Sequence, residues 1–137
     1  MRHKRLRAFN TKDTYPEQNL NNDLSQGVDA RGTMVFLRGQ VSQDLETREC
    51  LHVGDATAQT KKTMENIKML LEEAGSCLDD ICRIVVYLTD IRYREDVYQE
   101  MGKWLKGVHP CSTGIVVTAF ARPEWVVEIE VTAVIPD

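Results

Sequence analysis

The chain lacks any apolar run approaching the roughly 20 residues that a membrane-crossing helix requires, which excludes that class of segment. Its basic opening, Met1-Arg2-His3-Lys4-Arg5-Leu6-Arg7, is not followed by the apolar core of a signal peptide, so a cytoplasmic location is expected. Cysteine is scarce and unpatterned: Cys50, Cys77, Cys82 and Cys111 form no CxxC pair, and no histidine stands at zinc-finger spacing from them. His3, His52 and His109 are scattered. No metal or other cofactor is expected, and reduced thiols are the favoured state. Positive charge is in deficit, 17 Lys and Arg against 21 Asp and Glu, for a net charge of −4. A dedicated nucleic-acid binder usually carries a basic stripe. The one basic run here, Arg2 to Arg7, reads as a charged edge strand or a solvated tail, so nucleic acid is not an expected partner. Linkers, repeats and low-complexity segments are also missing, which leaves one domain spanning 1–137.

What is present is concentrated in the last strand, residues 125–135. Side chains alternate between the two faces of a strand. Val127, Ile129, Val131, Ala133 and Ile135 form one wholly apolar face, while Val126, Glu128, Glu130, Thr132 and Val134 form the other. A half-buried carboxylate is costly unless it is paired, hydrogen-bonded or protonated. Part of the Glu128 face is therefore expected to border a cleft.

The remaining elements read in the order β-β-β-α-β-α-β-β, an α+β domain. Residues 4–9 suggest a short strand with Leu6 and Ala8 on one side, and the polar stretch 10–23 a loop. Strands are expected at 24–30 and 33–37. Asp55 is a good N-cap for a helix in which Met64, Ile67, Leu71 and Ala74 recur at helical spacing before Gly75 stops it. A strand at 84–88 precedes a helix over 95–106 with Val97, Met101, Trp104 and Leu105 inward, and strands at 113–119 and 125–135 follow. Strands 33–37, 84–88 and 115–117 are apolar on both faces, as strands covered on both sides must be. Two helices, each about 10 Å wide, cover only one face of a mixed sheet whose strands repeat every ~4.8 Å. Self-association is the simplest cover for the second face, which predicts a homo-oligomer with Glu128 at a cleft between subunits.

An ordered set of segments then resembles the RidA/YjgF family of small trimeric proteins, many of which hydrolyse reactive enamines and imines to ketoacids and ammonia. The matching pieces are Leu24-Ser25-Gln26-Gly27-Val28, Arg38-Gly39-Gln40-Val41, Gln59 through Asn66-Ile67, Leu71-Glu72-Glu73-Ala74-Gly75, Asp80-Ile81, Tyr87-Leu88-Thr89-Asp90 and Glu128-Ile129-Glu130-Val131-Thr132-Ala133. The resemblance implies a chorismate-mutase-like fold, a homotrimer with outer helices and three inter-subunit clefts, and a small-molecule substrate. It puts the family's catalytic glutamate at Glu128. The family's carboxylate-binding arginine falls on Ser112, which supplies neither fixed charge nor a bidentate fork. Losing that contact weakens binding by roughly 2–5 kcal/mol where the pair is desolvated. Leu24, Gly114, Arg38 and Tyr98 stand where the family usually has tyrosine, cysteine, serine and asparagine. A rebuilt pocket suggests a substrate other than 2-aminoacrylate.

Two readings of Arg38 follow. Either it takes over the ligand's anion, with Ser112, Thr113 and the backbone near Gly39 as hydrogen-bond donors, or it salt-bridges Glu128 or Glu130. Glu128 likewise either positions a water as general base or pairs with Arg38 or Arg122 across the interface. The expected substrate-binding set is Arg38, Gly39, Ser112, Thr113, Gly114, Tyr98 and Leu24. A Ser112 nucleophile activated by His109, an anion site at His52 beside the Asp55 helix start and a reactive Cys111 are weaker alternatives. The leading function is hydrolytic deamination. A non-catalytic ligand-binding or regulatory trimer is the second reading, and ribonuclease activity the third.

Overall fold

The computed structural model describes residues 3–137. Eight strands and three helices run in the order β1 (Lys4–Leu6), β2 (Phe9–Asn10), α1 (Thr11–Thr14), β3 (Asp23–Leu24), β4 (Gly27–Asp29), β5 (Gly32–Phe36), α2 (Ala56–Glu73), β6 (Ile81–Leu88), α3 (Arg94–Trp104), β7 (Cys111–Val116) and β8 (Val127–Pro136). The main sheet is mixed. Its strand order is β5-β8-β6-β7, with β6 and β7 parallel and the other pairs antiparallel. Strands β1 and β4, and β2 and β3, form two small antiparallel ribbons beside it.

Helix α2 is set by local chemistry. The Asp55 carboxylate accepts from the Ala58 N–H at 2.9 Å, filling one of the orphan donors of the first turn. Gly75 leaves the helix at φ +80°, where a side chain would be strained. Met64, Ile67 and Leu71 are fully buried, and Val97 and Met101 of α3 and Leu105 at its C-cap join them. Both helices lie on the face of the sheet made by Ile84, Val86 and Leu88 of β6 and Val127, Ile129, Val131 and Ala133 of β8, all buried. Each fully buried aliphatic contributes about 1.5–3 kcal/mol, so this layer is the core.

Much of the opposite face of the sheet has no cover among the described residues. The registers put Met34 and Phe36 of β5 beside Val134 and Thr132, and Ile115 of β7 beside Tyr87. Phe36 is 71 % exposed, Met34 55 % and Ile115 44 %. Glu128 and Glu130 stand on this face between them, and the Tyr87 hydroxyl donates to Glu130 at 2.9 Å. The two-face expectation therefore holds at the level of one chain.

Several local expectations give way. The stretch 10–23 is not an open loop: Asn10 caps the short helix α1 by accepting from the Lys12 N–H at 3.1 Å, and a 3-10 turn follows at Pro16–Gln18. The expected strand 4–9 breaks at Arg7, whose φ is +50°. Its inward residue is Arg5, not Leu6, which is exposed. The Arg5 guanidinium donates to the carbonyls of Ile81 (2.6 Å) and Asp79 (3.0 Å), which satisfies a buried cation where the strand passes the start of β6. Arg2, at the head of the basic run, lies outside the described residues. The strand expected over 24–30 divides at Ser25-Gln26, where the Ser25 hydroxyl donates to the His109 carbonyl at 2.7 Å and lies 3.1 Å from the Gly27 carbonyl. Helix α3 runs over Arg94–Trp104 instead of 95–106, β7 starts at Cys111 and β8 only at Val127. Ala74 caps α2 from an exposed position, because the helix has already risen off the sheet there.

Candidate functional site

Glu128 is placed by β8, and the segment after β5 folds over it. Gln40 pairs with Ile129 through two backbone hydrogen bonds, Gln40 N–H to Ile129 O at 2.8 Å and Ile129 N–H to Gln40 O at 2.9 Å. This brings Gly39 directly onto the Glu128 side chain. A Cβ at residue 39 would collide with the carboxylate oxygen Oε2 and lie 2.8 Å from Cδ. The absent side chain is thus the space the carboxylate occupies.

Around this contact lies a cavity of about 230 Å³ lined by Arg38, Gly39, Val41, Gln43, Arg48, Ala121, Trp125 and Glu128. It is smaller than the roughly 300–1,000 Å³ of drug-sized ligand sites. Burial pushes the Glu128 carboxyl above its ordinary value, Arg38 pulls it down, and Glu130 pushes it up again. Arg38 therefore reaches the field of Glu128, yet among the described residues it forms no direct ion pair with either Glu128 or Glu130. Within one chain Arg38 is therefore not salt-bridged to either carboxylate. Within one chain the Arg122 guanidinium sits over the Trp125 ring, 5.8 Å from the centroid, and does not pair with Glu128.

Two buried polar residues on α2 hold the walls, and sequence reasoning gave neither a role. Gln59 donates to the carbonyls of His52 (3.3 Å) and Glu124 (2.9 Å) and accepts from the Val126 N–H (3.0 Å). Asn66 donates to the carbonyls of Val41 (3.2 Å) and Gln43 (2.9 Å). Both are fully buried. Trp125 is tied by its ring N–H to the Ser42 carbonyl at 3.1 Å. The available signal was the run of Gln59, Thr60, Thr63 and Asn66 on the same helical face as Met64 and Ile67: polar groups on a core face must have partners.

The remaining expected site residues gather elsewhere. Ser112 and Gly114 of β7 pair with Ile84 and Val86, so they point to the helix side of the sheet. The Tyr98 hydroxyl lies against Gly114, so that a Cβ at 114 would collide with it. Burial raises the Tyr98 pKa, while the charge of Arg94 and the neighbouring Ser112 hydroxyl oppose the rise. Ser112 Oγ is buried beside that phenol without a well-formed hydrogen bond. Arg94 stacks over the Tyr98 ring at 4.6 Å and donates to Gln18 Oε1 at 2.9 Å. Leu24 adjoins this group, because Ser25 bridges Cys111 and the Leu24 carbonyl meets His109 Nδ1 at 3.0 Å. Thr113 alone turns to the uncovered face, next to Val85.

The eight expected residues thus fall into two sets within one chain. Arg38, Gly39 and Glu128 surround the cavity, whereas Leu24, Tyr98, Ser112, Thr113 and Gly114 lie at the β7 edge. Strand β6 separates β8 from β7, a distance of roughly 9–10 Å. Two of the weaker alternatives lack the contacts they require. The His109 Nδ1 is engaged by Leu24 and does not serve Ser112. His52 contributes its carbonyl to the Asp55 and Gln59 N–H groups, and the Asp55 carboxylate fills the helix start.

Comparison with known proteins agrees with this fold. A family model described as Endoribonuclease L-PSP matches residues 17–135. A RutC family protein of Pyrococcus abyssi is 43% identical over 72 residues, covering 50% of this chain and 56% of its own length. Protein DfrA of Myxococcus xanthus is 36% identical over 107 residues, 78% of this chain and 79% of its own. Among solved structures, the Rid-family protein YyfB of Yersinia pestis superposes with a TM-score of 0.77 at 27% identity, covering 94% of this chain and 98% of that one. RidA of a Psychrobacter species does so at 0.70 and 34% identity, covering 81% and 87%. With a model match over most of its length and this helix-and-sheet arrangement, the chain belongs to the RidA/YjgF family.

Proposed function

We propose that the chain works as a homotrimer of chorismate-mutase-like subunits, and that each inter-subunit cleft hydrolyses a reactive imine or enamine to a ketoacid and ammonia. The uncovered sheet face supports the assembly, because exposed aromatic and aliphatic side chains there are continuous with the cleft residue Glu128. The separation of the two residue sets supports it too. A cavity walled on one side by Arg38, Gly39 and Glu128 is completed when the exposed β7 edge of a neighbouring copy brings Thr113, Ser112, Gly114 and Tyr98 alongside, with Leu24 behind them.

One observation carries the chemistry: the Glu128 carboxylate is packed on Gly39 inside an arginine-lined cavity, with its pKa raised by burial. In the reaction, an enamine first tautomerises to the imine. Arg38 then holds the substrate carboxylate in place of the cation missing at Ser112. Glu128 takes a proton from water as the oxygen bonds to the imine carbon, and that proton passes to the nitrogen. Glu128 then takes the hydroxyl proton of the carbinolamine and passes it to the amino group, so that C=O forms as the C–N bond breaks and ammonia leaves. A carboxyl poised above its ordinary value suits both proton steps.

The replacement at Ser112 favours a second reading, a trimer that binds a small acid without turning it over. Imines formed in situ, 2-aminoacrylate and several larger ones, separate the two through ketoacid release. Acceleration by the wild type that falls about 10²–10⁴-fold in E128A supports hydrolysis, with R38A acting chiefly on KM. No acceleration with any imine leaves the binding protein. Ribonuclease activity is the weakest reading, given the net charge of −4.

A further inference from the structure

We infer that Gln40 is a positioning residue of this site: its buried carboxamide clamps the peptide between Arg38 and Gly39, and through it fixes the Glu128 carboxylate. Only the kinetic part of its test rests on the deaminase reading. Strand β5 leaves the main ladder after Phe36, which pairs with Thr132, and the chain rejoins β8 where Gln40 bridges Ile129. It therefore advances four positions, from 36 to 40, against three on β8, from 132 to 129. An extra residue of this kind bends a strand and re-aims what it carries. Gly39 lies in the excursion and has no side chain to anchor it, and glycine is the residue with the freest backbone. Yet it is Gly39 that is pressed onto Glu128, so closely that a Cβ there would collide with Oε2. Its placement has to come from its neighbours.

Gln40 supplies it twice over. Its backbone N–H and C=O are both paired with Ile129, the residue next to Glu128, at 2.8 and 2.9 Å. Its side chain turns back along the chain, and Nε2 donates to the Arg38 carbonyl at 3.0 Å. That carbonyl belongs to the peptide whose nitrogen is Gly39. Because the peptide is planar, one bond sets the plane that enters Gly39. Water does not compete for it, since Gln40 is 4 % exposed. Stability does not account for the carboxamide. Its Oε1 is buried with no hydrogen-bond partner among the described residues, and an unsatisfied acceptor in the interior destabilises the fold. An apolar side chain of the same length would escape that cost. The amide thus works against the fold while holding the site, a conflict of the kind that marks functional positions.

Two variants of the full chain test this. Gln40→Met keeps the length and removes the donor, while Gln40→Asn keeps an amide one methylene too short for the Arg38 carbonyl and serves if the first does not fold. The carboxyl carbon resonance of Glu128, assigned with E128Q, is titrated in each. Burial raises this carboxyl, Arg38 lowers it and Glu130 raises it again. Releasing the 38–39 peptide admits water, so the midpoint is expected to move down towards the ordinary value. In ketoacid release from the best imine, kcat is expected to fall about tenfold with KM within about twofold of the wild type. The melting temperature of Q40M is expected not to fall. A Glu128 midpoint that stays put in both variants overturns the inference. So does a melting temperature of Q40M that drops in step with kcat, which would make Gln40 a structural residue only. If the wild type turns over no imine, the deaminase reading fails, and the titration still decides the role of Gln40.

Discussion

Gly39→Ala is the sharpest probe of the contact that defines the cavity. The new Cβ would overlap Glu128 Oε2 and lie 2.8 Å from Cδ and 2.9 Å from Cγ. Ordinary carbon contacts are about 3.5–4.0 Å, so the carboxylate must retreat by roughly 1 Å. Gly39 is not in the left-handed region, so the backbone accepts alanine without strain. The atoms that move are the end of a flexible side chain, and the stability cost stays near 1 kcal/mol, the low end for overpacking. Catalysis is far less tolerant. A 1 Å misplacement of a reacting group lowers the rate about 10²-fold, equivalent to about 2.7 kcal/mol on the barrier. The assay is ketoacid release from the best imine substrate, with a thermal melt beside it. A near-normal melting temperature with a hundredfold loss of kcat is the expected pair of results. Full activity in G39A would show that the position of the Glu128 carboxylate is immaterial and would refute the reasoning.

Other consequences follow from the same geometry. Restoring a cysteine with G114C drives its side chain into the Tyr98 hydroxyl. It should destabilise the fold by about 1–3 kcal/mol, with Y98N restoring most of the loss in a double-mutant cycle read by urea unfolding. The raised Glu128 pKa means that the folded state binds its proton more tightly than the unfolded chain does. Stability from this group is therefore greatest below the ordinary value of 4.5 and declines as pH rises through the folded-state value. The advantage of E128Q in melting temperature should accordingly widen from pH 4 towards pH 7, and a constant offset would contradict the assigned burial. Gln59→Leu leaves the Glu124 carbonyl and the Val126 N–H without their partner, while the His52 carbonyl keeps the Asp55 N–H. It should cost about 1–3 kcal/mol per buried group left unsatisfied and loosen the wall at Trp125, measured by denaturant unfolding and tryptophan fluorescence.

How much of this could be read in advance depended on how local each determinant is. The Asp55 cap, the Gly75 stop and the alternation in β8 lie within single elements, and all three are found where the chain announces them. Helix α1 escaped notice because four residues hold no periodicity, only the Asn10 cap. Arg5 looks like a surface charge until the Ile81 and Asp79 carbonyls that receive it are seen. The contact of Gly39 with Glu128 spans about ninety positions and depends on the Gln40–Ile129 bridge. Family resemblance marked both residues without showing that they touch. Arg48 and Trp125 reach the cavity only through loops anchored by Asn66, Gln59 and the Ser42 carbonyl, and no pattern in the loops themselves encodes those anchors. The contact of Tyr98 with Gly114 joins α3 to β7, so that the phenol occupies the space a side chain at 114 would need.

The central claim is that copies of the chain cover one another's exposed sheet faces and so close the Glu128 cavity. Multi-angle light scattering at micromolar concentration tests it most directly. A particle with three times the 15.6 kDa chain mass is expected, reduced to single chains by Phe36→Asp on the uncovered face without loss of secondary structure. A wild-type particle of one chain mass, fully active in imine hydrolysis, would contradict the account.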